Sequence, residues 1–223
     1  MREKRNHSGN PFFLPCVLII DMRVVLISRA TLFTVRGGDT IQILQTAEQL
    51  TRLGIPADIK LTHEKIDYSA YDLLHFFNIT RPADILYHIQ KTDKPFVVST
   101  ILIDYSAFDK QNRKGIAGRL LRLLSKDNLE YAKCIARFLK GQDKLMTLSY
   151  LWMGQHKSIK KVLRSASVLF SNSSLETRAV GERFGFAAKC RQVSNGVDTG
   201  LFSCNDTEVR DDLLVICVAR IEG

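Results

Sequence analysis

The segment Met22–Ala57 constrains the fold of this chain more than any other segment. Residues 24–27 are a short β-branched apolar run, which is typical of a buried strand. A loop ending in Gly37-Gly38 follows, then a helical pattern over residues 39–53 and a second strand at 57–61. Together these features predict a βαβ unit with two glycines at the N-terminus of its helix.

Both ends of the predicted helix carry residues of the expected type. Asp39 or Thr40 can cap the free N–H groups of the first turn. Gly54 closes the helix, and Pro56 prevents the helix from continuing into the next strand. The helical assignment therefore rests on its termini as well as on its apolar pattern.

The Gly37-Gly38 pair has two interpretations. A helix N-terminus offers unpaired N–H donors and partial positive charge, and glycine lets the backbone approach a ligand such as a diphosphate closely. Alternatively, the two glycines only make the turn into the helix, because a Gly-Gly pair is much less specific than a full GxGxxG motif. The spacing alone leaves both interpretations open.

Strand and helix patterns alternate along the rest of the chain. Further strands are predicted at 71–77, 96–103, 168–170, 190–193 and 213–219. This alternation predicts an α/β fold, a Rossmann-like parallel sheet with helices on both faces. Ligands of such sheets bind beyond the carboxyl ends of the strands, where the Gly37-Gly38 loop, the segment after Phe77 and the segment at Asp104 are expected.

The composition indicates an anionic partner and a reducing compartment. The chain of 223 residues carries a formal net charge of +9, which suits nucleic acid, an acidic membrane surface or phosphorylated substrates. Its five cysteines are scattered and lack CxxC spacing, so neither a disulfide framework nor a zinc site is predicted. The histidines make no HExxH motif, and we expect no metal.

Two segments bear on membranes. Residues 1–21 resemble a signal peptide, but they contain Pro15 and lack a small-residue cleavage site, so we interpret them as a disordered upstream extension before a natural start at Met22. Residues 109–126 form a basic amphipathic pattern, in which the helix 116–126 could lie on an anionic membrane. An ordinary surface helix with its leucines toward the core explains the same pattern.

Three segments resemble a known family. The strand–Gly-Gly–helix opening, SNSS at 171–174, and SNGVDTGLF at 194–202 followed by LLVICVARIEG at 213–223 are similar to the retaining glycosyltransferases of family 4. The N-terminal domain of that family ends in PNGVDxxxF, and its second domain begins with a strand and a GRxxxKG loop. The resemblance covers residues 22–223. It implies the GT-B fold, in which two Rossmann-like domains enclose a cleft.

The resemblance implies a domain organisation. It makes 22–200 an N-terminal, acceptor-side Rossmann-like domain and 201–223 a linker with the first strand of a truncated donor-binding domain. Because the phosphate-loop lysine and the paired glutamates of the second domain would lie beyond Gly223, we expect this chain to be inactive alone.

The resemblance also assigns roles to single residues. Gly37 and Gly38 would contact the donor diphosphate or the transferred sugar, and Arg220 would neutralise the donor phosphates. Asn172 and Ser173 would face the acceptor and sugar in the cleft, and Asn195 and Gly196 would form the interdomain hinge. Many family members place a histidine after the fourth strand. Here Asp104 and Tyr105 stand in that region, so Asp104 is the candidate catalytic residue and Tyr105 a candidate contact in the cleft.

The implied activity is transfer of a sugar from a nucleotide-diphosphate sugar to an acceptor hydroxyl with retention, without a cofactor or metal. The acceptor would be a saccharide or lipid-linked saccharide of bacterial surface polysaccharide synthesis, in the cytoplasm or at the inner face of the plasma membrane. An alternative is a non-catalytic module that binds an anionic partner such as nucleic acid, although aromatic residues are not interleaved with the basic ones. A dinucleotide enzyme is disfavoured, because Lys60 and Thr62 stand where a ribose-binding acid is expected.

Overall fold

The computed structural model of the chain describes residues 22–102, 126–139 and 147–201. These residues form one six-stranded sheet with all neighbouring strands parallel, in the order β2-β1-β3-β4-β5-β6. The strands are β1 (Val24–Ser28), β2 (Ala57–Leu61), β3 (Leu73–Phe77), β4 (Phe96–Ser99), β5 (Val168–Ser171) and β6 (Cys190–Gln192). The predicted α/β fold with a Rossmann-like parallel sheet is confirmed.

Helices cover both faces of the sheet. They are α1 (Gly38–Arg52), α2 (Pro82–Ile89), α3 (Lys126–Leu139), α4 (Leu148–Ser165) and α5 (Ser174–Phe184). One apolar core joins the sheet to α2, α4 and α5 through residues such as Phe76, Leu86 and Val162. A second core lies on the opposite face, where Ile43 of α1 packs with Leu26 and Phe77. Strands with two covered faces explain the nearly continuous apolar runs of the sequence.

The start of α1 differs from the prediction. Its N-cap is Gly37, and the helix begins one residue before the predicted start. Both predicted capping residues nevertheless accept from N–H groups at this terminus. The Thr40 hydroxyl oxygen accepts from the Gly37 N–H at 3.1 Å, and Asp39 Oδ1 accepts from the Thr40 N–H at 2.9 Å. The Asp39 carboxylate is also paired with Arg29. The end of α1 agrees with the prediction, because Gly54 adopts a left-handed φ of 82° there.

Strand β4 is shorter than predicted. It ends at Ser99, whereas the apolar run predicted a strand reaching Ile103. The reason is Ile101, whose φ of 42° is incompatible with an extended strand and rare for a β-branched residue. Thr100 and Leu102 turn toward Glu176 of α5 instead. Continuous hydrophobicity alone therefore overestimated the length of the strand.

Helix α4 is kinked at Gly154. Gly154 has φ 69° and ψ 177° in an otherwise helical run. The next residue, Gln155, is held by its side-chain amide, which donates to the Thr80 carbonyl oxygen at 2.8 Å. Because Thr80 follows β3, this bond places the kink near the carboxyl edge of the sheet.

We expect Gly154→Ala to destabilise the protein by about 2 kcal/mol, because a side chain at this φ and ψ is strained. Open space surrounds the Cβ position, so the loss would come from the backbone conformation and not from a clash. Urea unfolding measures this change. An Ala variant as stable as the parent would contradict the assigned backbone conformation.

Lys189 connects two distant parts of the fold. Its Nζ donates to the carbonyl oxygens of Arg164 at 2.5 Å and Ala166 at 2.9 Å. These carbonyl groups belong to the C-terminus of α4, where the helix leaves acceptors without partners. A cation at this end also interacts favourably with the helix dipole. Lys189 thus caps α4 from a short 3₁₀ turn that follows α5.

Several predicted features lie outside the described residues. They are the extension 1–21, most of the helix 116–126, the strand 213–219, and the candidate residues Asp104, Tyr105 and Arg220. Within the described ranges, no helix combines the length and hydrophobicity needed to cross a membrane.

Candidate functional site

The candidate site lies at the carboxyl edge of the sheet. The strand order reverses between β1 and β3, because the chain places β2 on one side of β1 and β3 on the other. In open α/β sheets such a reversal opens a crevice in which ligands bind. The segments that leave the strands at this edge are residues 29–37, 78–81, 100–102, 172–173 and 193–201.

Arg29 organises the loop between β1 and α1. Its guanidinium donates to both carboxylate oxygens of Asp39, at 2.7 and 3.0 Å, and to the carbonyl oxygens of Thr31 and Val35 at 3.0 and 2.7 Å. The Arg29 and Asp39 side chains are only 13% and 15% exposed. A bidentate pair of this kind fixes the loop geometry well. The path of the chain into Gly37-Gly38 is therefore defined by a side chain that the sequence analysis did not single out.

The environment of Asp39 keeps it ionised. Burial alone would raise the pKa of its carboxyl, but the hydrogen bonds and charge of Arg29, with the Thr40 N–H, outweigh burial and lower the pKa below its usual value. Its negative charge therefore already lies at the N-terminus of α1. The charge of Arg29 balances it.

The two glycines at the start of α1 differ in their surroundings. A Cβ on Gly37 would lie 3.0 Å from Asp39 Oδ1, so a larger residue would disturb the Arg29–Asp39 pair. A Cβ on Gly38 would meet nothing within 4 Å, although Gly38 is the first residue of a helix. Its N–H has no acceptor within the part of the chain that the structure describes. Glycine costs stability at a helical position, so neither the backbone nor the packing explains Gly38.

A hydrogen bond brings the two predicted parts of the site together. Gln42, one helical turn after Gly38, donates from Nε2 to Asn172 Oδ1 at 3.1 Å. Asn172 follows β5, which is separated from β1 by two strands. The adjacent Ser173 is the N-cap of α5, and its hydroxyl oxygen accepts from the Glu176 N–H at 3.2 Å. Gly38 and Asn172 thus share one surface, while Ser173 stabilises a helix terminus.

Glu176 connects the segments that follow β4 and β5. Its carboxylate accepts hydrogen bonds from the Thr100 hydroxyl at 2.5 Å, the Leu102 N–H at 2.6 Å and the Asn172 N–H at 2.7 Å. A carboxylate with several donors of this kind holds them firmly. Through Gln42, the network extends to the first turns of α1.

Unusual backbone conformations mark two neighbouring strand ends. Asn78, directly after β3, has φ 70°, and Ile101, two residues after β4, has φ 42°. Asparagine tolerates this region, and the Asn78 side chain accepts from the Thr80 N–H at 2.9 Å. Ile101 does not tolerate it well, and strain of this kind is concentrated at functional sites.

The predicted hinge residues are placed apart from this network. Asn195 and Gly196 lie in an exposed, irregular segment after β6, which is at the end of the sheet. No hydrogen bond connects them with Gly38 or Asn172 among the described residues. They share the carboxyl edge with the site but not its contacts.

Two buried histidines border the site from inside the fold. His75 of β3 is hydrogen-bonded through Nε2 to Ser99 Oγ at 2.9 Å. His88 of α2 is hydrogen-bonded to Thr62 Oγ1 at 3.1 Å and Tyr68 Oη at 2.8 Å. Burial lowers the pKa of each to about 4, so both are neutral at physiological pH.

The described ranges contain no group of three or more His, Cys, Asp or Glu side chains that could hold a metal ion. Neither the family models nor the curated proteins contain a match to this sequence. The resemblance to the retaining glycosyltransferases therefore rests on the sequence motifs.

No sequence pattern predicted the contacts that hold the site together. Arg29 and Gln42 belong to no motif, although Gln42 lies four positions after Gly38 and therefore on the same helical face. Glu176 is the last residue of an S-x-x-E pattern that begins at Ser173 and marks the start of a helix. That pattern does not predict its bonds to Thr100 and Leu102.

Proposed function

We propose that this protein is part of a retaining glycosyltransferase that transfers a sugar from a nucleotide-diphosphate sugar to an acceptor hydroxyl. The observation that carries the proposal is Gly38. It is a glycine at the first position of a helix, at the carboxyl edge, with open space where a side chain would be and with an N–H that no described residue accepts. Such a position suits close approach of a ligand to the backbone.

The charge balance at α1 refines which part of the donor would lie there. The Arg29–Asp39 pair has no net charge, so only the helix terminus itself would attract an anion at this position. A sugar hydroxyl needs no charge to accept from the Gly38 N–H. We therefore assign the transferred sugar to Gly38, and the diphosphate to cationic groups such as Arg220.

The apolar side chains around this edge support a second domain opposite it. Four large apolar residues in the β1–α1 loop and in the first turns of α1 and α5 are exposed: Phe33 (45%), Val35 (52%), Ile41 (61%) and Leu175 (70%). Exposed apolar residues at a polar edge are typical of a surface that another domain covers. In a GT-B enzyme, the donor-binding domain would cover it.

The substitution Gly38→Ala should change the stability of the protein and its binding of the donor in opposite directions. We expect this substitution to stabilise the protein by about 0.5–1 kcal/mol, because alanine is the better helix former, and to weaken binding of a nucleotide-diphosphate sugar about tenfold. Urea unfolding and calorimetric titration with sugar nucleotides of several bases measure the two effects. Gln49→Ala, at an exposed position near the other end of α1, is the matched control and should leave binding unchanged.

Other outcomes of this titration contradict the proposal. If Gly38→Ala binds a sugar nucleotide as tightly as the parent, Gly38 is not a contact of the donor. Binding of a single-stranded oligonucleotide in place of sugar nucleotides would favour the non-catalytic module with an anionic partner.

The acceptor side of the proposal concerns the membrane. We propose a saccharide or lipid-linked saccharide as the acceptor, with the basic helix predicted at 116–126 against the inner face of the plasma membrane. Sedimentation with anionic vesicles at low salt tests this contact. A protein that stays in the supernatant would contradict it.

A further inference from the structure

The first segment of α4 exposes the only tryptophan of the chain. Trp152 is 91% exposed, Leu148 is 75% exposed and Leu151 is 37% exposed. Leu151 and Trp152 lie three and four positions after Leu148, so all three side chains lie on one face of the helix. We call them the 148–152 patch. A group of large apolar side chains on a surface marks an interaction site more often than an isolated one does.

The opposite side of the same segment is fixed to the protein. Tyr150 is buried, and its hydroxyl donates to Gln155 Oε1 at 2.5 Å. Ser149 Oγ accepts a hydrogen bond at 3.2 Å from Nε2 of Gln90, the residue that caps the C-terminus of α2. These contacts set the rotation of the segment, so the 148–152 patch is held toward solvent.

A cationic side chain lies next to the segment that carries the patch. Lys91 is exposed directly after Gln90, which bonds to Ser149 at the start of α4. Helix α4 contains no aspartate or glutamate, and its four lysine and arginine residues follow Gly154. The formal net charge of the chain is +9. Exposed leucine and tryptophan on a cationic protein complement a surface that is apolar inside and anionic outside.

We propose that the 148–152 patch binds the surface of an anionic lipid bilayer. Tryptophan prefers the level of the lipid headgroups, leucine the acyl boundary, and lysine the lipid phosphates. The patch is built from residues outside the carboxyl-edge site and outside residues 116–126. The proposal rests on the membrane side of the proposed function, and its test requires no sugar nucleotide. Failure here therefore leaves donor binding at Gly38 unaffected, and the reverse also holds.

Trp152 itself is the probe. The full chain is titrated with vesicles of equal parts phosphatidylglycerol and phosphatidylcholine at low salt, and with pure phosphatidylcholine vesicles as the comparison. We expect tryptophan emission to shift to shorter wavelength, and brominated lipids to quench it, with the anionic vesicles only. If the emission wavelength remains that of a solvent-exposed tryptophan in both titrations, the proposal is overturned.

A matched pair of variants separates the patch from general charge effects. Leu148→Glu and Leu53→Glu change the charge equally at leucines of nearly equal exposure, 75% and 77%, and both retain Trp152. We expect Leu148→Glu to lower the vesicle partition coefficient about tenfold and Leu53→Glu to change it less than about twofold. Equal losses would overturn the proposal. So would an emission shift that grows with protein concentration in the absence of vesicles, because a second copy of the chain would then cover the patch.

Discussion

Acidification from pH 6.5 to pH 4 is expected to destabilise this protein by several kcal/mol through His75 and His88. Burial lowers the pKa of both to about 4, against about 6.5 in an unfolded chain. The unfolded chain therefore binds more protons in this window, and stability falls as the pH falls. Each histidine contributes roughly 3 kcal/mol once the pH reaches its folded pKa. Below pH 4 this contribution is complete.

Urea unfolding across this pH range measures the effect. His75→Gln and His88→Gln each remove one titrating group. Between pH 6.5 and 4, each should therefore reduce the slope of the unfolding free energy against pH by an amount equivalent to at most one bound proton. His63→Gln is the control, because the His63 side chain is exposed. If a variant with both histidines replaced loses stability with falling pH as steeply as the parent, other groups cause the acid lability.

Glu176→Gln is expected to destabilise the protein by about 3 kcal/mol, because it breaks a charge-assisted network. Oε1 accepts from Thr100 and Leu102, and Oε2 accepts from the Asn172 N–H. A glutamine side chain has one acceptor oxygen and one NH₂ group. In either orientation its NH₂ group would face the N–H of Leu102 or of Asn172, and two donors would then be in contact. Urea unfolding gives the loss of stability.

Amide hydrogen exchange locates that loss. We expect faster exchange at Leu102 and Asn172 in Glu176→Gln, because these amides lose their acceptor. Glu182→Gln, at an exposed position of the same helix, is the matched control and should cost less than about 0.5 kcal/mol. Unchanged protection at both amides would contradict the role of Glu176.

Sequence patterns predicted those elements whose causes are local. Strand β2 has the predicted bounds, α1 differs by one residue at each end, and the packing of Ile43 follows from helical periodicity. In each case the deciding residues lie within a few positions of one another.

The failures have long-range causes. Strand β4 ends early because Thr100 and Leu102 bond to Glu176, more than seventy positions away. The family resemblance assigned Gly38 and Asn172 to one cleft, but no sequence pattern predicted the Gln42–Asn172 bond between their segments, because it spans 130 positions.

The cap that Lys189 forms on α4 has a consequence for the order of folding. During synthesis α4 leaves the ribosome before Lys189 does, so its last carbonyl groups have only water as a partner at that stage. The last turn of α4 completes only after β5 and α5 have docked and delivered the lysine. A nascent chain halted just after α4 should therefore have a frayed helix end, which becomes ordered only when the segment that carries Lys189 packs against it.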